Sequence, residues 1–200
     1  IAGAGDLVPE SLKQIGYEVI NLTAGQVING DLSGFDAIIT GVRLYNVSEQ
    51  IKSMQPKLMK YVNDGGTLLI QYNVNGPLRL DNLGPYPFGL SRDRVTEEDA
   101  KVTILKSDDP ALNYPNKITD KDFEGWVQER GLYFVTDADQ KYRTLLSMHD
   151  DGEGEKTGSL IIADYGKGRF VYTGLSFFRQ LPAGVPGAYR LFVNLISVKK

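Results

Sequence analysis

The sequence predicts an α/β domain built on a mostly parallel sheet with helices on both faces. Three observations carry that prediction. Short apolar runs at 35–41 and 67–72 alternate with amphipathic stretches at 7–15 and from Ser48 onward, the strand–helix–strand rhythm that makes successive strands parallel. The run 67–72 follows a Gly65-Gly66 break and is almost continuously apolar, as a strand buried on both faces must be. It empties into Tyr72-Asn73-Val74-Asn75-Gly76, a polar loop at a strand's carboxyl end, where open α/β sheets gather their ligands.

Taken in order, Asp6 caps a helix over 7–15, with Pro9 in its first turn, Leu7, Val8, Leu12 and Ile15 as its stripe, and Gly16 as its stop. Residues 17–22 read as a strand, and a polar loop leads to the strand 35–41. Ser48 and Glu49 open a helix in which Ile51, Met54, Leu58, Tyr61 and Val62 recur at helical spacing. Pro56 lies inside it and should kink it or mark a late start. Residues 73–100 are rich in Pro, Gly, Asn, Asp and Arg with little periodicity, so an irregular, inserted segment is expected over about 75–130. Strands are expected at 102–105, 144–148, 159–163 and 169–173, with a turn at Asp108-Asp109-Pro110 and a short helix around Trp126. An acidic loop at 150–155 lies between two of the strands, and Gly166-Lys167-Gly168 makes a tight turn. The last helix should run from Pro186 to about Val198.

Two hundred residues, 42% of them hydrophobic, suffice for one large domain with its own core. A net charge of −3 and a pI near 5.3 argue against a nucleic-acid or anionic-membrane surface. No apolar run approaches the ~20 residues of a membrane span. Without cysteine there is no disulfide, thiolate metal site or cysteine nucleophile. The opening Ile1-Ala2-Gly3-Ala4-Gly5-Asp6 reads as the tail of a strand entering a turn, so the chain is expected to be part of a longer one.

The chemistry-bearing patterns are sparse. Gly3-Ala4-Gly5-Asp6 lacks the third glycine of a dinucleotide fingerprint, and an acid at the helix start repels phosphate; a capped turn is the simpler reading. His149 is the only histidine and has no nucleophile elbow to partner it. The loop 150–155 lacks the alternating acids of a calcium loop. In 79–94, charged, amide and aromatic residues alternate within a Pro-stiffened loop. Such a loop can grip a polyhydroxylated ligand, planar groups bonding hydroxyls and rings covering the sugar's apolar face. A loop folded by its own Arg–Asp pairs is the competing reading. Trp126-Val127-Gln128-Glu129-Arg130 with Tyr133 and Phe134 forms a second such cluster, for which core packing and ligand stacking both remain open.

The order of strand 35–41, helix and Gly65–Gly76 resembles the class I glutamine amidotransferase-like fold, a flavodoxin-like three-layer sandwich that includes ThuA-like proteins. In the enzymes of that fold a catalytic cysteine sits where Tyr72 or Asn73 stands here. Gly174-Leu175-Ser176-Phe177-Phe178-Arg179-Gln180 is similar to the segment that supplies the other two triad members. That similarity puts Phe178 at the histidine place and Gln180 at the glutamate place, and none of these residues can perform cysteine–histidine catalysis. Longer motifs, Gly41-Val42-Arg43-Leu44-Tyr45-Asn46, Asp81-Asn82-Leu83-Gly84-Pro85-Tyr86-Pro87, the run 122–131 and the run 172–182, resemble the C-terminal region of bacterial proteins with an N-terminal PIG-L-type zinc-dependent deacetylase domain. This resemblance implies that the deacetylase, with its zinc, lies outside these residues and that the protein is periplasmic or secreted.

The expectation is therefore a single non-catalytic accessory domain over 1–200. Arg43, Tyr45 and Asn46, then Tyr72, Asn73 and Asn75, then Arg179 and Gln180 follow three strand ends and should converge on one crevice that binds a glycan. Asp81, Arg92 and Trp126 should close over it. No catalytic residue, metal ligand or cofactor is expected in the domain. Partners are a glycan and the same chain's deacetylase domain, with no nucleic acid and no membrane insertion. Two alternatives stay open: a hydrolase using carboxylates such as Asp81, Asp93 or Glu129 on a glycan or amide, and a structural or dimerising module.

Overall fold

A computed structural model describes residues 1–197. Its helices are α1 (Val8–Gln14), α2 (Ala24–Asn29), α3 (Leu44–Val47), α4 (Ile51–Asn63), α5 (Phe177–Gln180) and α6 (Pro186–Ile196). Its strands are β1 (Ala37–Thr40), β2 (Thr67–Ile70), β3 (Gly89–Leu90), β4 (Arg94–Val95), β5 (Val102–Ile104), β6 (Gly131–Leu132), β7 (Val135–Thr136), β8 (Arg143–Thr144), β9 (Leu146–Met148), β10 (Lys156–Thr157), β11 (Leu160–Tyr165) and β12 (Gly168–Thr173). The expected end of the last helix at Val198 lies outside the described residues.

The main sheet has the order β1-β2-β12-β11-β8. β1, β2 and β12 are mutually parallel, while β11 is antiparallel to both neighbours. The sheet is thus mixed rather than mostly parallel. The cause is the turn between Tyr165 and Gly168: Gly166 has φ +60°, which makes a two-residue hairpin, and hairpins join antiparallel strands.

Strand alternation sorts the core into two. Leu68 and Ile70 join Ile38, Phe170 and Tyr172 against α2 and α4, whereas Leu69 joins Ile162 and Val171 against α1 and α6. Helices therefore cover both faces. α4 buries Ile51, Met54, Leu58, Tyr61 and Val62, each stabilising by roughly 1.5–3 kcal/mol. It runs through Pro56 without interruption, so the expected late start does not occur. Gly66 is forced by the packing: a Cβ there would lie 2.2 Å from the Tyr61 ring.

Several expectations are corrected. Residues 17–22 form no strand, because no strand lies beside them to complete a ladder. The polar loop before β1 contains α2, whose Thr23–Gln26 capping box starts it. Trp126 follows a 3₁₀ turn at Asp120–Phe123 instead of sitting in a helix. The run 144–148 is split between two sheets, β8 in the main one and β9 in a separate β10-β9-β5 sheet. The irregular segment is tied down by two short pairs, β3 with β7 and β4 with β6. The loop 150–155 closes the β9–β10 hairpin, and the Asp150 carboxylate accepts from the backbone N–H groups of Thr96 and Glu97.

Candidate functional site

Because β1, β2 and β12 are parallel, their carboxyl ends open on one edge of the sheet. After β1 the chain turns at Arg43, whose backbone N–H donates to the Tyr72 carbonyl at 2.8 Å just beyond β2. After β12 it enters α5, which carries Phe178 and Arg179. Three strand ends thus bring Arg43, Tyr72, Phe178 and Arg179 together.

Tyr72 is half-buried between two rings. Phe178 lies 5.1 Å away, centroid to centroid, and Tyr133 stacks nearly parallel at 6.2 Å. The Arg179 guanidinium stands 4.9 Å over the Phe178 ring, a cation–π contact. Arg179 Nε donates to Glu129 at 2.9 Å, and Arg94 Nη2 donates to the other carboxylate oxygen at 2.7 Å. Glu129 is only 3% exposed, so two guanidinia compensate a carboxylate removed from water. Arg179 also donates to the side-chain carbonyl of Gln128. Burial pushes the Tyr72 phenol above its usual range; Arg43 and Arg179 oppose that, while Glu129 and Tyr133 add to it.

The backbone is strained at the same place. Among the described residues four non-glycine positions have positive φ, and three of them, Arg43 (60°), Gln128 (67°) and Tyr133 (53°), belong to this cluster. Each holds a conformation about 1 kcal/mol or more above the relaxed one. Such strain persists only where surrounding contacts fix it, and it concentrates at functional sites.

Other expected site residues serve the fold. Tyr45 is fully buried and its hydroxyl donates to Gln55 at 2.6 Å. Asn73, also buried, accepts from the Tyr45 backbone N–H (2.9 Å) and donates to the Gln71 carbonyl (3.0 Å). Asn46 donates to the carbonyls of Val74 and Pro77 and accepts from Val74 N–H, bracing the loop after β2. Gln180 is fully buried, accepting from Val127 N–H and donating to the Val127 carbonyl, each at 2.8 Å. Trp126 packs between Phe123 and Phe177, and its indole N–H donates to the Asp122 carbonyl. These five are withdrawn from the crevice because their polar atoms are spent inside the fold, Tyr45 on the Gln55 side chain and the other four on backbone groups that would otherwise be buried unpaired. Asn75 is exposed and its amide donates to the Leu90 carbonyl. Asp81 and Arg92 are exposed, with no hydrogen-bond partner among the described residues, and no contact ties either to the cluster.

Tyr133, Gln128, Arg94 and Phe178 are members that the sequence did not assign to the crevice, Phe178 being expected only at the vacated histidine place. Tyr133 and Gln128 sit in the aromatic–charged cluster after Trp126, but their left-handed backbone has no sequence signature. Among the described residues no group of three or more His, Asp or Glu stands close enough to hold a metal, and no helix is long and apolar enough to cross a membrane. His149 lies at the surface, its Nε2 3.5 Å from Glu155.

No protein-family model and no curated protein sequence matches the chain. Solved structures do. A cytoplasmic protein from Salmonella typhimurium superposes with a TM-score of 0.59 at 14% identity, covering 96% of this chain and 85% of that one. A ThuA-like protein from Bacteroides uniformis gives 0.56 at 14% identity, covering 96% and 83%. The fold is similar to that of ThuA-like proteins. A β-galactosidase from Rahnella sp. R3 gives 0.50 at 19% identity over 84% of this chain, which spans only 24% of that protein. At these identities the likeness is one of fold alone.

Proposed function

We propose that this chain is a non-catalytic accessory domain that binds a carbohydrate at the Tyr72 cluster. The observation that carries the reading is the half-buried set Tyr72, Tyr133 and Phe178 flanked by the guanidinia of Arg43, Arg94 and Arg179. Rings offer an apolar platform to a sugar face, and guanidinia and the Gln128 amide offer donors to hydroxyls. The finer fold we infer is a three-layer, flavodoxin-like, amidotransferase-like sandwich whose triad places are vacated. Tyr72 and Phe178 still meet, while Gln180 is turned into the core. From the motif resemblance we place the domain in an exported chain beside a PIG-L-type deacetylase.

The carboxylate-hydrolase alternative is weakened by Glu129, which is clamped by two arginines and so is a poor proton donor or nucleophile. A structural module is favoured by the inward turn of Tyr45, Asn73 and Gln180. It does not account for an aromatic–arginine cluster left half open at strained backbone positions.

Titration calorimetry against a panel of neutral and N-acetylated oligosaccharides tests the proposal. At least one should bind, with Tyr72→Ala and Arg179→Ala each weakening it about tenfold, the equivalent of ~1.4 kcal/mol. No binding by the folded protein, or binding indifferent to both substitutions, would sink it.

A further inference from the structure

The main sheet ends at β1, but the molecule continues past it. Beyond β1's outer edge lies a cavity of about 530 Å³ lined on its other side by the segment 17–22. Apolar side chains line both sides of this slot: Val8, Leu12 and Val19 come from the α1–α6 side, and Leu22 and Ile38 from the α2–α4 side. Two of the large hydrophobic side chains left exposed, Tyr17 and Ile20, line the same cavity.

The backbone at one end of the slot fixes a register. The Ile1 amino group donates to the Ile39 carbonyl at 2.9 Å, and the Gly41 N–H donates to the Ile1 carbonyl at 2.7 Å. These two bonds are one rung of a parallel ladder, with Ile1 opposite Thr40. In such a ladder alternate residues face the same edge, so the Ile39 N–H and the Ala37 carbonyl face the slot as the next rung.

We propose that the slot is a strand-accepting site, filled by an extended apolar segment of about four residues that runs parallel to β1 and leads into Ile1. Free ladder groups with apolar side chains on both sides suit a central strand, whose side chains are buried on both faces. Polar side chains also line the slot, but Asp6 and Gln71 among them are already bonded to each other and to backbone groups, whereas the rung at Ile1 sets up partners for a strand. A second copy of the chain fits poorly, because a two-fold pair would set β1 against β1 antiparallel and segment 17–22 blocks the approach. The proposal also accounts for 17–22, which joins no sheet because its neighbour belongs in the slot.

The test compares three extensions fused to Ile1: a Val/Ile-rich strand, the same strand with Pro two positions before Ile1, and a Gly/Ser segment. The apolar strand should raise Tm by about 5 °C or more and slow amide exchange at Ile39 by about tenfold or more. Pro removes the N–H that would reach the Ala37 carbonyl and should lose most of the gain; Gly/Ser should give none. If the apolar version precipitates, an alternating Thr/Val strand carries the same comparison. Equal Tm and Ile39 exchange across the extensions would overturn the proposal. So would protection by the apolar peptide only when added in trans, or an unextended chain that dimerises with Ile39 already protected.

Discussion

Tyr72 and Phe178 lie in contact, ring centroids 5.1 Å apart with planes inclined by 41°. The pair joins the end of β2 to α5 and places the Tyr72 hydroxyl in a field of four charged or ionisable neighbours, Arg43, Glu129, Arg179 and Tyr133. A contact of this kind stabilises by about 0.5–1.5 kcal/mol beyond the area it buries. Here it also makes Tyr72 a reporter of the whole cluster.

The first prediction uses that reporter. Burial raises the Tyr72 pKa, and Arg43 and Arg179 pull it back down while Glu129 pushes it up. Arg179→Ala should therefore raise the Tyr72 pKa, and Glu129→Gln should lower it. NMR titration with ¹³C-labelled tyrosine reads both shifts, and the opposite order would show that the guanidinium and the carboxylate do not act on this phenol.

Gln180 offers a sharper test, because it separates a ligand contact from a structural brace. Its amide ties α5 to Val127 and to the Ser176 hydroxyl, with nothing left for solvent. Gln180→Ala should destabilise by about 2–4 kcal/mol, from lost hydrogen bonds and buried backbone groups left unpaired. Gln180→Glu should also destabilise, since a carboxylate cannot donate to the Val127 carbonyl, and should create no hydrolytic activity. Denaturant unfolding measures the loss; a Gln180→Ala protein of unchanged stability would return the residue to the list of ligand contacts.

That contrast also marks what the sequence could disclose. The apolar runs around β1 and β2, the stripe of α4 and the Gly166-Lys167 turn are local patterns, and each appears where the periodicity puts it. The strand at 17–22 failed because a strand exists only with a neighbour, and neighbours are not local. The site divides the same way. Arg43, Tyr72 and Arg179 follow strand ends, a position that topology alone brings together. Whether an amide such as Asn73 or Gln180 faces solvent or a backbone carbonyl depends on chain arriving from some 28 to 53 residues away, which no spacing rule encodes. The left-handed conformations of Gln128 and Tyr133 are equally silent, since neither is the glycine that would announce them.

The third prediction concerns Gly66. Its missing side chain lets Tyr61 close the end of α4 over the start of β2, and an added Cβ would meet ring carbons at 2.2–2.4 Å. Relief would require moving a tyrosine whose hydroxyl is bonded to the Phe35 carbonyl at 2.8 Å. Gly66→Ala should therefore lower stability by about 1–3 kcal/mol, as overpacking does. Tyr61→Ala in the same protein should remove the clash, so the double variant should lose less than the sum of the two singles. Additive losses in chemical denaturation would show that Gly66 is not set by this contact.

The last prediction is a pH dependence carried by the same ring. Burial pushes the Tyr61 phenol from 10.0 up to about 12, with Asp36 adding to the shift and a hydrogen bond opposing it. Between those values the unfolded chain releases the proton and the folded chain keeps it. The unfolded state then binds fewer protons, so stability falls as pH rises. The contribution is fully present below pH 10 and is lost by about pH 12, at ~1.4 kcal/mol per pH unit. Tyr45, Tyr142 and Tyr172 are shifted in the same direction by burial, so the whole protein should lose stability steeply on the alkaline side. Tyr61→Phe should flatten that slope by about one proton while lowering stability at pH 7 by about 0.5–1.5 kcal/mol, because the Phe35 carbonyl loses its donor. Urea unfolding at pH 8, 10 and 11 distinguishes the outcomes: a slope unchanged by Tyr61→Phe would mean that this phenol ionises alike in both states.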